Sequence, residues 1–264
     1  MEIYDFEYDG INLSEFGMVI CNFGSKGLET VSNGSTISFN TVPSMNGAKY
    51  NLISTQYEDC LEATFQICKN SCFGKNMEIT PTEFRELTKW LNRKQFKKLK
   101  LFSKEYIDLY YEVSFNISRI EINGKIYGLE LEAYTNRPFA LHEPRILIVD
   151  NKEQDGKHSI NDTSHEEGFI YPSVEIVVNA DGDLNIYNAI EDRNTFVKNC
   201  VVGEVITMDY PIIKSSISSH NIQNDFNWNF FRIANTFRES RNDLTVSIPC
   251  TIKIKYSPIV KVGL

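Results

Sequence analysis

Asn179, Asp181 and Asp183 alternate around Gly182, a spacing that begins like an oxygen-rich calcium loop. Such a loop runs for about twelve residues, lies between helices and closes on a bidentate glutamate. Here Val174–Asn179 and Leu184–Tyr187 alternate as strands, so the trio reads as the polar turn of a hairpin. Glu130/Glu132 and Glu166/Glu167 are paired carboxylates of the type glycoside hydrolysis uses. The first pair shares one exposed strand face and the second lies in a polar stretch, so both read as solvated surface. The histidines are His142, His158, His165 and His220. A general base needs fixed geometry before its pKa matters, and the polar stretch around His158 and His165 offers nothing to fix them. Cys68 and Cys72 are four apart without a second cysteine pair or a nearby histidine, which falls short of a tetrahedral zinc site. No Gly-x-Ser-x-Gly elbow, phosphate-cradling Gly-Lys-Ser/Thr loop or His-Glu-x-x-His pair occurs. The residues therefore indicate no catalytic site, no metal site and no cofactor. Trp228, in the loop Phe226-Asn-Trp-Asn-Phe-Phe231, is the one side chain suited to stacking on a sugar.

The scaffold is more legible than the chemistry. Thr80-Pro-Thr-Glu83 is a capping box with proline at the first helical position, and it predicts a helix over Thr80–Asn92. Phe84, Leu87 and Leu91 form its core stripe, with Trp90 beside them. Arg93, Lys94, Lys97, Lys98 and Lys100 follow, where cations oppose the negative helix terminus; a phosphate-contacting patch is the alternative. Before the helix, Leu61, Ala63, Phe65 and Ile67 alternate with polar residues as a half-buried strand. After it, Ser103-Lys-Glu105 reads as a turn, and Ile107, Leu109, Tyr111, Val113 and Phe115 are the clearest period-two run. Asn123-Gly124 then predicts a tight hairpin into Leu129, Leu131 and Ala133. Gly24-Ser-Lys-Gly27 and the surroundings of Gly34 and Gly47 read as loops.

From 151 to 167 the sequence is almost wholly polar, with Ile160 its only large apolar residue, and it reads as an exposed loop or linker. The expected division is an N-terminal β-rich domain at 1–145, a linker at 146–168 and a C-terminal domain at 169–264. Val201–Met208, Leu244–Ile248 and Thr251–Tyr256 supply further strands to the last of these. The fold class is mainly β.

The chain has 264 residues, 42% hydrophobic and 23% charged, which suits packed cores. Its net charge of −8 excludes a nucleic-acid-binding module by bulk charge. Residues 1–150 carry 16 basic and 20 acidic side chains, so both parts of the chain come to −4. No run approaches the ~20 apolar residues that span a bilayer. The acidic start Met1-Glu-Ile-Tyr-Asp-Phe-Glu-Tyr-Asp-Gly10 lacks a signal core, so no signal-peptide export or membrane insertion is expected. The chain is expected to fold in a cytoplasm with its six cysteines reduced.

The order of elements resembles the distal tail protein family of long non-contractile phage tails. Phe6-Glu-Tyr-Asp-Gly10 followed by Phe16-Gly17 is similar to the family's opening. The helix leading to Leu99-Lys-Leu-Phe102 and Tyr106–Phe115, then Ile122-Asn-Gly124 through Leu129–Tyr134 and Arg137-Pro138-Phe139, is similar to the rest of its N-terminal domain. Tyr171-Pro172, Gly203-Glu-Val-Ile-Thr-Met-Asp209 and Tyr256-Ser-Pro258 follow in the family's order. One departure is Arg241-Asn242-Asp243, where such proteins often carry Gly-Asn. The resemblance implies an N-terminal split β-barrel-like domain with one helix and a C-terminal galectin-like β-sandwich. It implies a homo-hexameric ring at the virion tail tip, assembled in the host cytoplasm, joining the tail tube to a tail-tip hub, tail-associated lysin or fibre protein. DNA would pass the channel without specific binding, since six copies carry 6 × −8 = −48 charges. The alternative is a module that uses Trp228 to bind a host cell-surface carbohydrate.

Overall fold

The protein is described here as a computed structural model, which describes residues 3–23, 36–44, 49–73, 76–103 and 108–263. The loops expected around Gly24–Gly27, Gly34 and Gly47, and most of the turn at Ser103-Lys-Glu105 with Ile107, lie outside those residues. The chain divides into two compact units, Met1–His142 with Lys261–Leu264, and Glu143–Val260.

In the first unit, β1 (Asp5–Tyr8), β2 (Ile11–Asn12) and β3 (Met18–Cys21) precede a separate ribbon of β4 (Ile37–Pro43) and β5 (Tyr50–Tyr57). Then come β6 (Glu62–Lys69), the helix α1 (Pro81–Leu91), β7 (Lys97–Phe102), β8 (Leu109–Ile122), β9 (Lys125–Thr135) and the short β10 (Ala140–His142). The sheet runs β2-β1-β7-β8-β9-β6-β3, every pairing antiparallel. Strands β1 and β6 are four steps apart along it, about 19 Å in a flat sheet. Yet the rings of Phe6 and Phe65 have centroids 6.4 Å apart. The sheet must therefore curl, and the half-closed barrel wraps an aromatic core of Phe6, Tyr8, Phe115 and Trp90.

Helix α1 forms as its sequence dictates. The Glu83 N–H donates to Thr80 Oγ1 at 3.3 Å, and Glu83 Oε2 accepts from the Thr80 N–H at 2.7 Å. Trp90 is buried and its indole N–H donates to the Tyr8 carbonyl at 3.0 Å. Phe84 leaves the expected stripe: it is half-buried, and the Arg119 guanidinium stacks 4.3 Å over its ring. Arg93 Nε reaches the Trp90 carbonyl at 3.0 Å, so it satisfies the helix end directly. In the hairpin turn Asn123 and Gly124 have φ of 52° and 73°, the left-handed pair that a tight turn requires.

The second unit is a sandwich. Its strands are β11 (Arg145–Asn151), β12 (Gly156–Asn161), β13 (Gly168–Ile170), β14 (Ser173–Val178), β15 (Gly182–Asn188), β16 (Arg193–Cys200), β17 (Val205–Asp209) and β18 (Ile212–Ser215). A single-turn helix α2 (Ile222–Asp225) and the strands β19 (Ile233–Asn235), β20 (Arg241–Val246) and β21 (Cys250–Tyr256) follow. One sheet is β11-β21-β14-β17-β18, the other β12-β20-β15-β16, and apolar residues from both share one core.

Two expectations fail here, each for a physical reason. Val174–Asn179 and Leu184–Tyr187 do not form a hairpin: β14 pairs with β17 and β21, while β15 pairs with β16 and β20, so the chain crosses between sheets at Asp181-Gly182. Alternation records which side chains point inward, and it is the same for a hairpin as for a crossing. Nor is 146–168 a linker, since it supplies β11, β12 and the start of β13. Polar side chains stitch it in place. Buried Asn151 donates to the carbonyls of Glu153, Val246 and Ile248, and buried Asp162 accepts from Ser164 and Asn235. The stretch 151–167, with Ile160 as its one large apolar residue, is ordered because its buried polar groups are satisfied.

Candidate functional site

Among the described residues, β4 and β5 pair only with each other, from Ile37 opposite Tyr57 to Pro43 opposite Tyr50. The two strands, of seven and eight residues, contain no charged side chain. Phe39, Tyr50, Leu52 and Ile53 are 63%, 67%, 57% and 68% exposed. The register puts Phe39, Tyr50 and Leu52 on one face and Asn40 and Ser54 on the other, with Ile53 at a β-bulge between them, so the ribbon presents one strongly apolar face. An isolated two-stranded ribbon is marginal in water, and exposed strands normally carry charges against unwanted pairing. This arm carries no such charges, and near its base Tyr57 meets Phe139 edge to face at 6.4 Å.

A second surface lies on the sandwich unit. The Phe169 and Tyr171 rings are 5.6 Å apart, Tyr171 stacks on Tyr210 at 4.3 Å, and Tyr210 meets Phe230 edge-on at 5.4 Å. Phe230 in turn lies 6.4 Å from Trp228. Phe226, Phe230 and Phe231 are buried, whereas Trp228 is 56% exposed and has φ 60°. That backbone is costly for a bulky residue. It is held because Asn227 Nδ2 donates to the Asn194 carbonyl at 2.9 Å and Asn227 Oδ1 accepts from the N–H groups of Phe196 and Asn229. Arg232, paired with Glu191 at 2.6 Å, lies 3.8 Å over the Phe169 ring.

The calcium-like trio is used internally. Asp181 Oδ1 accepts from the Val202 N–H at 2.7 Å and Asp183 Oδ1 from the Asn199 N–H at 2.9 Å, fixing the turn between β16 and β17. Glu130 is half-buried and accepts from Gln66 at 2.8 Å, while Glu132 lies beside the Tyr134 hydroxyl. Among the described residues no group of three or more His, Cys, Asp or Glu converges as a metal site. His158 does not float: its Nε2 is 3.0 Å from Asn151 Oδ1.

The sequence reading missed the cluster around His220. The Glu204 carboxylate is fully buried and meets three donors: His220 Nδ1 at 2.5 Å, the Ser215 hydroxyl at 2.5 Å and the Val201 N–H at 3.2 Å. Asp225 Oδ2 is 3.3 Å from His220 Nε2, off the line a hydrogen bond requires. The serine hydroxyl faces the carboxylate rather than the imidazole, so the group lacks the nucleophile–base contact of a hydrolytic triad. It ties the β16–β17 turn, the end of β18 and α2 together. Only the glycine turn before Glu204 signals it in sequence.

Residues 1–137 match the family described as phage tail protein N-terminal domain, and residues 139–256 match the phage tail C-terminal domain. The fold is similar to the crystal structure of SPP1 Dit protein, described as a paradigm of the hub adsorption apparatus in phages infecting Gram-positive hosts. That match has TM-score 0.65 at 12% identity and covers 97% of this chain and 99% of that one. No curated protein matches the sequence.

Proposed function

We propose, from the premise that this chain belongs to the phage tail protein family and is a structural component of a virion tail, that it is a ring-forming distal tail protein. It would be a baseplate hub adaptor, six copies joining the tail tube to the tail-tip hub, lysin or fibre. The observation that carries this reading is the arm of β4 and β5. A charge-free ribbon with one exposed apolar face gains most when a neighbouring copy covers that face. Burying one large apolar side chain is worth roughly 1.5–3 kcal/mol. With Phe39, Tyr50, Leu52 and Ile53 each more than half exposed, an arm offers several kcal/mol of association free energy. A head-to-tail contact that closes gives a ring. The sandwich unit would be the galectin-like domain on the ring's outer side, and DNA would pass through without specific contact.

Light scattering with negative-stain imaging tests this. The chain is 30.4 kDa, so a ring of six has a mass near 182 kDa. The double variant Phe39→Asp, Ile53→Asp is expected to remain a folded monomer. Wild type that stays monomeric at high concentration and with tail-tube or hub partner, or a variant that still forms rings, would refute the reading.

Trp228 supports a second role for the same chain, in contact with a host cell-surface carbohydrate. A large aromatic held outward against its backbone preference is suited to stacking on a pyranose face. Glycan binding that is absent, or unchanged by Trp228→Ala, removes this role.

A further inference from the structure

Cys21 ends β3, and Cys68 lies near the end of β6. Val19 stands opposite Cys68 and Cys21 opposite Gln66, so both thiols project from the same sheet face, one diagonal step apart. Both are free and half-buried, and the Cys68 thiol is close enough to Cys21 to act on it electrostatically. The chain leaving β3 folds over this face: the Phe23 N–H donates to Gln66 Oε1 at 2.9 Å, and the Phe23 ring occupies the space a Cβ would need at Gly128. Gly128 lies opposite Cys68 on β9. The two cysteines also bracket the apolar arm, since Ile37–Tyr57 falls between them in the chain.

We propose that Cys21 and Cys68 form a latent disulfide, closed after the tail leaves the reducing cytoplasm, that staples the strands from which the arm departs. It rests on the chain being a tail component, because a particle released from its host exchanges a reducing medium for an oxidising one. The oxidant is a diffusible disulfide such as oxidised glutathione. The Cys68 thiolate attacks one of its sulfurs, forming a mixed disulfide and expelling one glutathione thiolate, which takes up a proton. Cys21 then gives up its proton to solvent and attacks the Cys68 sulfur, expelling the second glutathione. In balance, two protein S–H bonds and one glutathione S–S bond become one protein S–S bond and two glutathione S–H bonds. Burial, and then the adjacent Cys68 thiol, push the Cys21 thiol up to about 12, which makes it the slow, resolving partner. Diagonal cross-strand neighbours sit somewhat farther apart than a disulfide allows. Closure therefore draws in the end of β3, where Cys21 is the last residue, rather than an interior rung.

The test equilibrates the full chain in glutathione buffers of increasing oxidation, traps free thiols with a maleimide and maps the peptides by mass spectrometry. One cross-link joining Cys21 to Cys68 is expected, with Cys200 and Cys250 still reduced inside the sandwich core. Its rate should rise roughly tenfold per pH unit between about pH 7 and 9, as Cys21 ionises. Cys21→Ser should leave Cys68 as the glutathione mixed disulfide. Wild-type mapping needs no variant, so a misfolded Cys21→Ser protein leaves the result readable. Retention of both thiols in the most oxidising buffer, or pairing of either with another cysteine, overturns the proposal. Such a failure leaves family membership standing, because that rests on the sequence match, and ring formation is read separately from mass.

Discussion

Replacing His220 by Ala removes one of three donors from a carboxylate with no access to water. The Ser215 hydroxyl and the Val201 N–H remain, so Glu204 keeps two of its three partners. Leaving a buried polar group short of one hydrogen-bond partner costs about 1–3 kcal/mol. The sandwich unit spans Glu143–Val260, and at about 2.1 cal/mol/K per residue its unfolding entropy is near 250 cal/mol/K. One kcal/mol thus corresponds to about 4 °C, and the variant should lose roughly 4–12 °C in the calorimetric transition of that unit. The double variant His220→Ala, Glu204→Gln tests the cause, because a neutral amide is less costly to leave unpaired. It should be more stable than the sum of the two single losses predicts. A shift under about 4 °C for His220→Ala, or strict additivity in the cycle, would refute the assignment of the imidazole as the partner Glu204 requires.

Three further outcomes follow from named contacts. Gly156→Ala should destabilise the sandwich by about 1–3 kcal/mol in denaturant unfolding, because a methyl group there would overlap the Asn151 amide oxygen that faces His158. Thr80→Ala should cost α1 roughly 1 kcal/mol. The cap should also weaken in acid: burial raises the Glu83 pKa, but hydrogen bonds from Lys69 and Thr80 outweigh it and hold the carboxyl below its ordinary value of 4.5. A depressed folded-state pKa gives stability present above the unfolded value and lost as pH falls through the folded one, so the gap between Thr80→Ala and wild type should shrink below about pH 4. Trp228→Gly relieves the left-handed backbone and removes mainly exposed surface, so its melting temperature should stay within a few degrees of wild type.

Local signals in the sequence account for the first unit well. A capping box, a proline at the first helical position and Asn123-Gly124 each specify a conformation through residues within four positions of one another. The second unit depends on pairings that local patterns do not encode. Val174, Ile176 and Val178 point inward in either topology, so nothing near Gly182 announces that the chain changes sheets. The segment 151–167 carries no apolar signal of its order, which comes instead from Asn151, Asp162 and Ser164 through hydrogen bonds to partners more than seventy positions away in several cases. Asn242, in the departure from the family's Gly-Asn, is likewise buried and bridges strands, its amide bonding both the Ala234 N–H and carbonyl. As for the arm, its apolar residues look like any other β-run until the structure leaves them without a sheet to cover.

Because β12 is fastened by amides and carboxylates more than by hydrocarbon, its detachment uncovers little greasy surface. Its amide protons should therefore exchange through a small opening whose free energy hardly changes with added urea, while β14 and β21 exchange only through an event that urea promotes steeply. A sandwich with one such weakly solvent-coupled border strand can loosen there at physiological temperature without surrendering its interior.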